Sequence, residues 1–178
     1  SRNFFDKFLL KKLSYFFYRK ADAIIAVSKG VGNGLSRSLK LEPSKVKVIY
    51  NGILTKKHRD GYSAAPNHRW FGMDNICLIS SIGRLSPEKG IYELVCAFRK
   101  ALVSNNNLRL IIIGEGNYVG TLKQKVKELS LEGSVKFLGW MSQNDLFAEM
   151  MKATIALIPH IRSDHTNNTI PNKIFQHM

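Results

Sequence analysis

The sequence predicts an α/β protein built on a parallel, doubly wound sheet. Apolar runs rich in Ile, Val and Leu at 76–82, 108–113 and 135–138 read as strands buried on both faces. Between them lie segments with apolar residues at helical spacing, such as Leu94, Val95, Phe98 and Leu102. Strands that alternate with helices imply parallel pairing through helical crossovers.

In chain order, residues 3–19 predict a helix that sets Phe4, Phe5, Phe8, Leu9, Leu13, Phe16 and Phe17 among Lys7, Lys11, Lys12, Arg19 and Lys20. Such a helix either covers a sheet with its apolar side or lies on an anionic membrane surface. A strand at 23–27 ends at Ser28, a helix follows at 29–40, Pro43 closes that unit, and a strand at 46–50 ends at Asn51-Gly52. Residues 54–75 show no apolar period and hold Pro66 and Gly72, which reads as a connection between two domains. The expected organisation is 1–53 as the tail of one domain, 54–75 as the connection and 76–178 as most of a second domain. In that second part, strand 76–82 leads to helix 91–103, strand 108–113 to helix 117–130, and strand 135–138 to helix 143–152. Strand 154–158 then leads to a long loop and a helix from about Asn172.

The 178 residues suffice for one sizeable core or parts of two. Lys and Arg total 27 against 13 Asp and Glu, for a net charge of +14. The excess is concentrated early: residues 1–60 carry 14 basic and 4 acidic side chains, a balance of +10. Such a surface suits nucleic acid, anionic lipid or phosphorylated substrates. Cys77 and Cys96 are isolated, which fits a reducing compartment and gives no metal-ligand spacing.

The stretch Gly83-Arg84-Leu85-Ser86-Pro87-Glu88-Lys89-Gly90 links a strand's carboxyl end to a helix's amino end, where open α/β sheets bind ligands. A helix start favours anions through unpaired N–H groups and its dipole. Arg84 and Lys89 add two positive charges. An ordinary solvated turn is the alternative. Gly114-Glu115-Gly116 also follows a strong strand, but its third glycine, Gly120, falls one residue too far for a dinucleotide fingerprint. No acid stands at the end of strand 135–138 to hold a ribose, which argues against a nicotinamide site.

Gly-Arg-Leu-x-x-Glu-Lys-Gly resembles the donor-diphosphate motif of the retaining glycosyltransferases of family 4. Four further segments resemble that family's pattern in the same order: Ala21 to Ser28, Val46 to Ile53, Leu110 to Gly116, and Val135 to Gly139. The resemblance implies a GT-B fold, with two Rossmann-like doubly wound parallel sheets, the second incomplete here. It implies transfer of a sugar from a nucleoside-diphosphate sugar, UDP-sugar favoured, to a glycan or lipid-linked acceptor with retention of configuration. No cofactor and no metal are implied, because the nucleotide sugar is a substrate. Bacterial surface-polysaccharide synthesis and a cytoplasmic location are implied, with possible peripheral contact at the inner membrane face through the basic first third. No nucleic-acid partner is expected, and the piece alone is expected to be inactive.

By the same resemblance, Gly83, Arg84 and Lys89 bind the donor diphosphate, together with Thr169, Ile170 and Lys173 of the last loop. Gly114, Gly116, Phe137, Leu138, Gly139 and Gln176 contact the nucleotide, with Phe137 itself a core residue. Aligning Met178 with the methionine that closes the family's last pattern puts Asn168 and Gln176 where two glutamates usually stand. These two residues, with His160, are the catalytic candidates. An amide binds a hydroxyl without charge assistance, so the substitution weakens any stabilisation of positive charge there. It leaves open an inactive nucleotide-sugar binder. A non-catalytic basic module for nucleic acid or anionic membrane is the alternative from another class.

Overall fold

The computed structural model describes residues 4–52 (side chains from Lys12 onward), Trp70, Met73, residues 75–163 and Thr166. The chain divides into two compact units: Ser1–Gly52 with Arg162–Asn172, and Ile53–Ile161 with Lys173–Met178.

In the first unit, α1 (Phe4–Lys20) leads through β1 (Ile24–Ala26) and α2 (Lys29–Leu39) to β2 (Val46–Val48), which pairs parallel to β1. Ser28 ends β1 chemically as well as in sequence: its hydroxyl caps α2 by accepting from the Val31 N–H at 3.1 Å. Lys40, at φ 49, closes the same helix in the left-handed conformation. Gly32 is buried, and a Cβ there would lie 3.4 Å from the Ala26 and Val46 side chains, so α2 rests closely on the strand pair. Ile24, Leu39 and Leu41 form the core, with Tyr15 of α1 packed against it. Phe16 and Phe17 are 52% and 64% exposed. The apolar side of α1 is thus only partly used within this unit. Among the described residues, no helix is long and apolar enough to cross a membrane.

The second unit holds β3 (Cys77–Ile82), α3 (Ile91–Ser104), β4 (Leu108–Ile113), α4 (Val119–Glu128), β5 (Val135–Gly139), α5 (Gln143–Lys152) and β6 (Ile155–Ala156). All four strands run parallel in the order β5-β4-β3-β6. The alternation along β4 shows why this sheet needs cover on both faces. Leu110 and Ile112 pack with Val95 and Phe98 of α3 and Leu122 and Val126 of α4. Ile111 and Ile113 face the other way, with Trp70, Leu78, Met141 and Leu146 of α5. All four β4 residues are at most 2% exposed. Ser80 is wholly buried, and its hydroxyl has no hydrogen-bond partner.

The observed elements follow the expected ones with shifts of at most two residues at their ends. The largest differences are at α4, expected over 117–130 and observed over Val119–Glu128, and at β6, expected over 154–158 but paired only at Ile155 and Ala156, both exposed. It is an edge strand, so only one neighbour supplies partners for its backbone. Two 3-10 turns, at Pro43–Lys45 and Pro87–Lys89, were not anticipated. Trp70, assigned by sequence to the connection, packs on the second unit's sheet.

Candidate functional site

Strand order fixes where this unit can hold a ligand. The chain leaves β3 for β4 and β5 on one side, then returns on the other side as β6. The order therefore reverses between β3 and β6, and ligands of open α/β sheets bind beyond the strands' carboxyl ends at that reversal. The loops facing it are 83–90, after β3, and 157–161, after β6. Loop 83–90 is the basic glycine stretch singled out by sequence.

The loop is held by its own backbone. Gly83 N–H donates to Ile113 C=O at 2.9 Å and Leu85 N–H to Glu115 C=O at 2.8 Å, so the β3–β4 ladder continues past the strands. Leu85 is 1% exposed and anchors the loop in the core. Tyr118 N–H returns a bond to Leu85 C=O. Across the reversal, Ile161 N–H donates to Glu88 C=O at 3.3 Å.

Two glycines make these approaches possible. At Gly114, φ is 128°, and a Cβ would sit 1.9 Å from Gly83 O. At Gly90, φ is 68°, and a Cβ would sit 1.7 Å from Pro159 O. Only glycine relieves both conditions at once. Gly116 adds a similar close approach to Leu85 O. Within this unit, then, Gly114 and Gly116 are needed for loop-on-loop packing, whatever they also offer a ligand.

The side chains around the reversal are cationic and open. Arg84 is exposed and Lys89 half buried, and among the described residues neither makes a hydrogen bond or ion pair. No side chain caps α3, whose first intrahelical bond runs from Leu94 N–H to Gly90 C=O. The amides of residues 91–93 therefore precede the ladder and present the positive end of the helix directly after Lys89. His160 is half buried in the facing loop.

Glu88 puts a negative charge within the loop itself. Ser86 Oγ donates to Glu88 Oε1 at 2.6 Å. That bond, with the Glu88 backbone N–H and the charges of Lys89 and Arg84, holds the carboxyl below the ordinary glutamate range. Because the folded value is the lower one, the associated stabilisation is present above the unfolded pKa and is lost as pH falls through the folded pKa. Ser86→Ala is expected to raise the Glu88 titration midpoint in carbon-detected NMR. An unmoved midpoint would show that the hydroxyl is not the leading cause.

Phe137 and Leu138 point to opposite faces of the sheet: Phe137 joins the α3–α4 side and Leu138 the Trp70 side. Only their peptide groups are then left for a ligand at the edge. Leu138 is also an extra residue in the ladder, since Ile112 pairs with Phe137 and Ile113 with Gly139. Gly139 C=O accepts from Gly114 N–H at 2.8 Å. Asn168, Thr169, Ile170, Lys173 and Gln176, like the helix expected from Asn172, lie outside the described residues. Just before them, Ser163 and Thr166 exchange hydrogen bonds. Ser163 N–H donates to Thr166 Oγ1 at 2.8 Å, and Thr166 N–H to Ser163 Oγ at 3.1 Å. This reciprocal cap marks a helical residue at Thr166, ahead of the expected start.

A parallel sheet with cations and an uncapped helix start at its reversal has the features that suit an anion site in α/β proteins. Comparison with known proteins makes this specific. Residues 67–166 match the family described as Glycosyl transferases group 1, and residues 2–57 match Glycosyltransferase Family 4. The chain belongs to the group 1 glycosyltransferases. Its α/β units with parallel sheets match GT-B glycosyltransferase structures. One relative is the N-acetylgalactosamine-N,N'-diacetylbacillosaminyl-diphospho-undecaprenol 4-alpha-N-acetylgalactosaminyltransferase of Campylobacter jejuni, 32% identical over 143 residues, covering 78% of this chain and 36% of that protein. Another is the O-antigen chain mannosyltransferase RfbU of Salmonella typhimurium, 24% identical over 164 residues, covering 89% and 41%. Anabaena HepE, solved in complex with UDP, superposes with a TM-score of 0.72 at 21% identity, over 94% of this chain and 45% of that one. At that identity the likeness speaks for the fold alone. The chain spans well under half the length of these proteins.

Proposed function

We propose that this chain carries the donor side of a retaining glycosyltransferase. In this reading the full protein moves a sugar from a nucleoside-diphosphate sugar, UDP-sugar favoured, to a glycan or lipid-linked acceptor in surface-polysaccharide synthesis. The single observation carrying it is the loop Gly83–Gly90 at the strand-order reversal, with Arg84 and Lys89 unpaired beside an uncapped helix start. There a diphosphate meets two cations and backbone donors whose positions are fixed by Leu85, Gly90 and Gly114. As the sugar–phosphate bond breaks, negative charge grows on the leaving diphosphate, and fixed cations stabilise that growth more than they stabilise the bound substrate. The relatives named for undecaprenol-linked and O-antigen acceptors support the acceptor class.

Asn168 and Gln176 would meet the hydroxyls of the sugar and ribose. Lys173, Thr169 and Ile170 would complete the diphosphate site, with His160 beside the donor sugar. No metal or other cofactor is invoked, since the charge is met by Arg84, Lys89 and Lys173. Peripheral contact with anionic membrane through the first unit is supported by exposed Phe16 and Phe17 on the helix that carries Lys12, Arg19 and Lys20.

A saturation-transfer NMR screen of UDP, GDP and ADP sugars against the full-length protein tests this reading, followed by anomeric analysis of the product. Binding of a UDP-sugar and a product of unchanged anomeric configuration are expected. Binding without transfer to any acceptor would favour the inactive binder suggested by the two amides, and binding of no nucleotide sugar would overturn the proposal.

A further inference from the structure

We propose that Ile161 is a positioning residue for Lys89. Its N–H holds the Glu88–Lys89 peptide across the strand-order reversal and so fixes where the Lys89 ammonium meets the diphosphate. The inference rests on the function proposed above and adds a residue of the loop after β6 that acts on the donor through another side chain.

Lys89 needs support from outside its own loop. It ends a single 3-10 turn, Pro87–Lys89. Such turns have poorer hydrogen-bond geometry than an α-helix and hold little by themselves. Past Leu85 the loop's internal backbone bonds are local: Lys89 N–H donates to Ser86 C=O at 3.0 Å and Gly90 N–H to Pro87 C=O at 3.2 Å. Neither ties the turn to the sheet. A lysine on its flexible stem would move with a turn left in that state.

Loop 157–161 closes on both sides of that lysine. On one side, Ile161 N–H donates to Glu88 C=O at 3.3 Å, so the peptide leading into Lys89 is bonded to a chain from across the reversal. On the other side Gly90 packs against the same loop, where a Cβ would lie 1.7 Å from Pro159 O and 3.4 Å from Ile161 N. Gly90 takes φ 68° and caps the start of α3, so its contact with Pro159 also sets the angle between the turn and the helix. Among the described residues the Lys89 side chain has no hydrogen bond or ion pair of its own. Its place is therefore set by its backbone, and the backbone is set by residues 159–161.

The supporting loop is itself anchored. Leu157 N–H donates to Ser80 C=O at 2.8 Å, and the Leu157 side chain packs against the core shared by α3 and α4. The Ile161 side chain does not account for its position, being 41% exposed. What the position contributes is a backbone donor, which any residue except proline supplies. Such a role leaves no mark on residue type, so the position is silent in the sequence. A cation already in place binds an anion without the cost of ordering a loop. With the Ile161 bond gone, part of the attraction of Lys89 for the diphosphate is offset by that cost.

The test is a double-mutant cycle on the full-length protein, read as dissociation constants for UDP, pyrophosphate and uridine with melting temperatures alongside. Ile161→Pro removes the N–H, whereas Ile161→Ala shortens the side chain and keeps it. Ile161→Pro is expected to weaken UDP and pyrophosphate alike by about 3- to 10-fold, the range of one neutral hydrogen bond, and to leave uridine unchanged. Ile161→Ala should match wild type. In a Lys89→Ala background, Ile161→Pro should cost no further UDP affinity, a result that a merely structural role would not produce. Proline also restricts the residue before it. The α-hydroxy analogue of isoleucine at 161, which exchanges only the N–H for an oxygen, is therefore measured in the same cycle and should behave as Ile161→Pro does. UDP affinity equal to wild type in both variants that lack the N–H overturns the proposal, as do losses that add in full in the Lys89→Ala background. Either result leaves the donor-site reading intact. A wild-type protein that binds neither UDP nor pyrophosphate overturns both.

Discussion

Gly114→Ala is expected to destabilise the second unit by roughly 2–6 kcal/mol. Two costs combine. The backbone at φ 128° lies where residues with a Cβ are strained, at about 1–3 kcal/mol. The new Cβ would also lie 1.9 Å from Gly83 O, a backbone atom with little freedom to retreat. Moving Gly83 aside would pull on its bond to Ile113 and, through Leu85, on the bond to Glu115. Forcing extra volume into such a contact adds about 1–3 kcal/mol. Whole domains are stable by only about 5–15 kcal/mol, so a fall in melting temperature on the order of 10 °C should follow. Gly120→Ala is the matched control. That glycine lies in α4 with nothing within 4 Å of its would-be Cβ, so alanine should be neutral or stabilise by up to about 1 kcal/mol. Urea and thermal unfolding of the two variants check both values. A Gly114→Ala protein as stable as wild type would mean that the loops after β3 and β4 do not approach as closely as described.

Gly114 also marks how far the sequence could be read. Its place at a strand exit is plain, because the four apolar residues before it, Leu110 to Ile113, form a continuous run with no helical period. The same logic located β3, β5 and the helices between them, and from their alternation the parallel sheet. The partner that makes Gly114 a glycine, Gly83 O, is 31 positions away along the chain, and Pro159 O is 69 positions from Gly90. Contacts of that kind leave no periodic trace. The same holds for the bulge at Leu138: Val135 to Gly139 reads as an uninterrupted strand, and only the register with β4 reveals the extra residue. The basic loop was legible for the opposite reason. Arg84, Lys89 and the flanking glycines are contiguous, and a strand before them and a helix after them suffice to place the group at a sheet edge. The order β5-β4-β3-β6, which makes that edge a reversal point, came only from the structure. In the first unit, spacing along α1 showed an apolar side, but not that Tyr15 would turn to the core while Phe16 and Phe17 face out.

Replacing Lys89 or Arg84 with alanine should weaken UDP binding by about ten- to a hundred-fold and leave uridine nearly unaffected. A hydrogen bond assisted by a full charge is worth roughly 1.5–3 kcal/mol, and only the diphosphate can receive it. Lys89 should be the more costly loss. It is half buried where Arg84 is exposed, and a charge partly shielded from water acts through a lower effective dielectric. Its removal also leaves Glu88 less compensated, since the fields of Lys89 and Arg84 add to the Ser86 hydrogen bond and the backbone in lowering that carboxyl's pKa. An anion arriving at the Lys89→Ala loop would therefore meet a lost attraction and a less screened repulsion together. The Arg84 contribution, being exposed, should shrink as salt is raised from about 0.05 to 0.5 M, while the Lys89 contribution should shrink less. Calorimetric titration of UDP and uridine against both variants at two salt concentrations separates these effects. If uridine and UDP lose affinity equally, neither side chain touches phosphate. Loop 83–90 would then act only as a turn, and the donor-site assignment resting on it would fail.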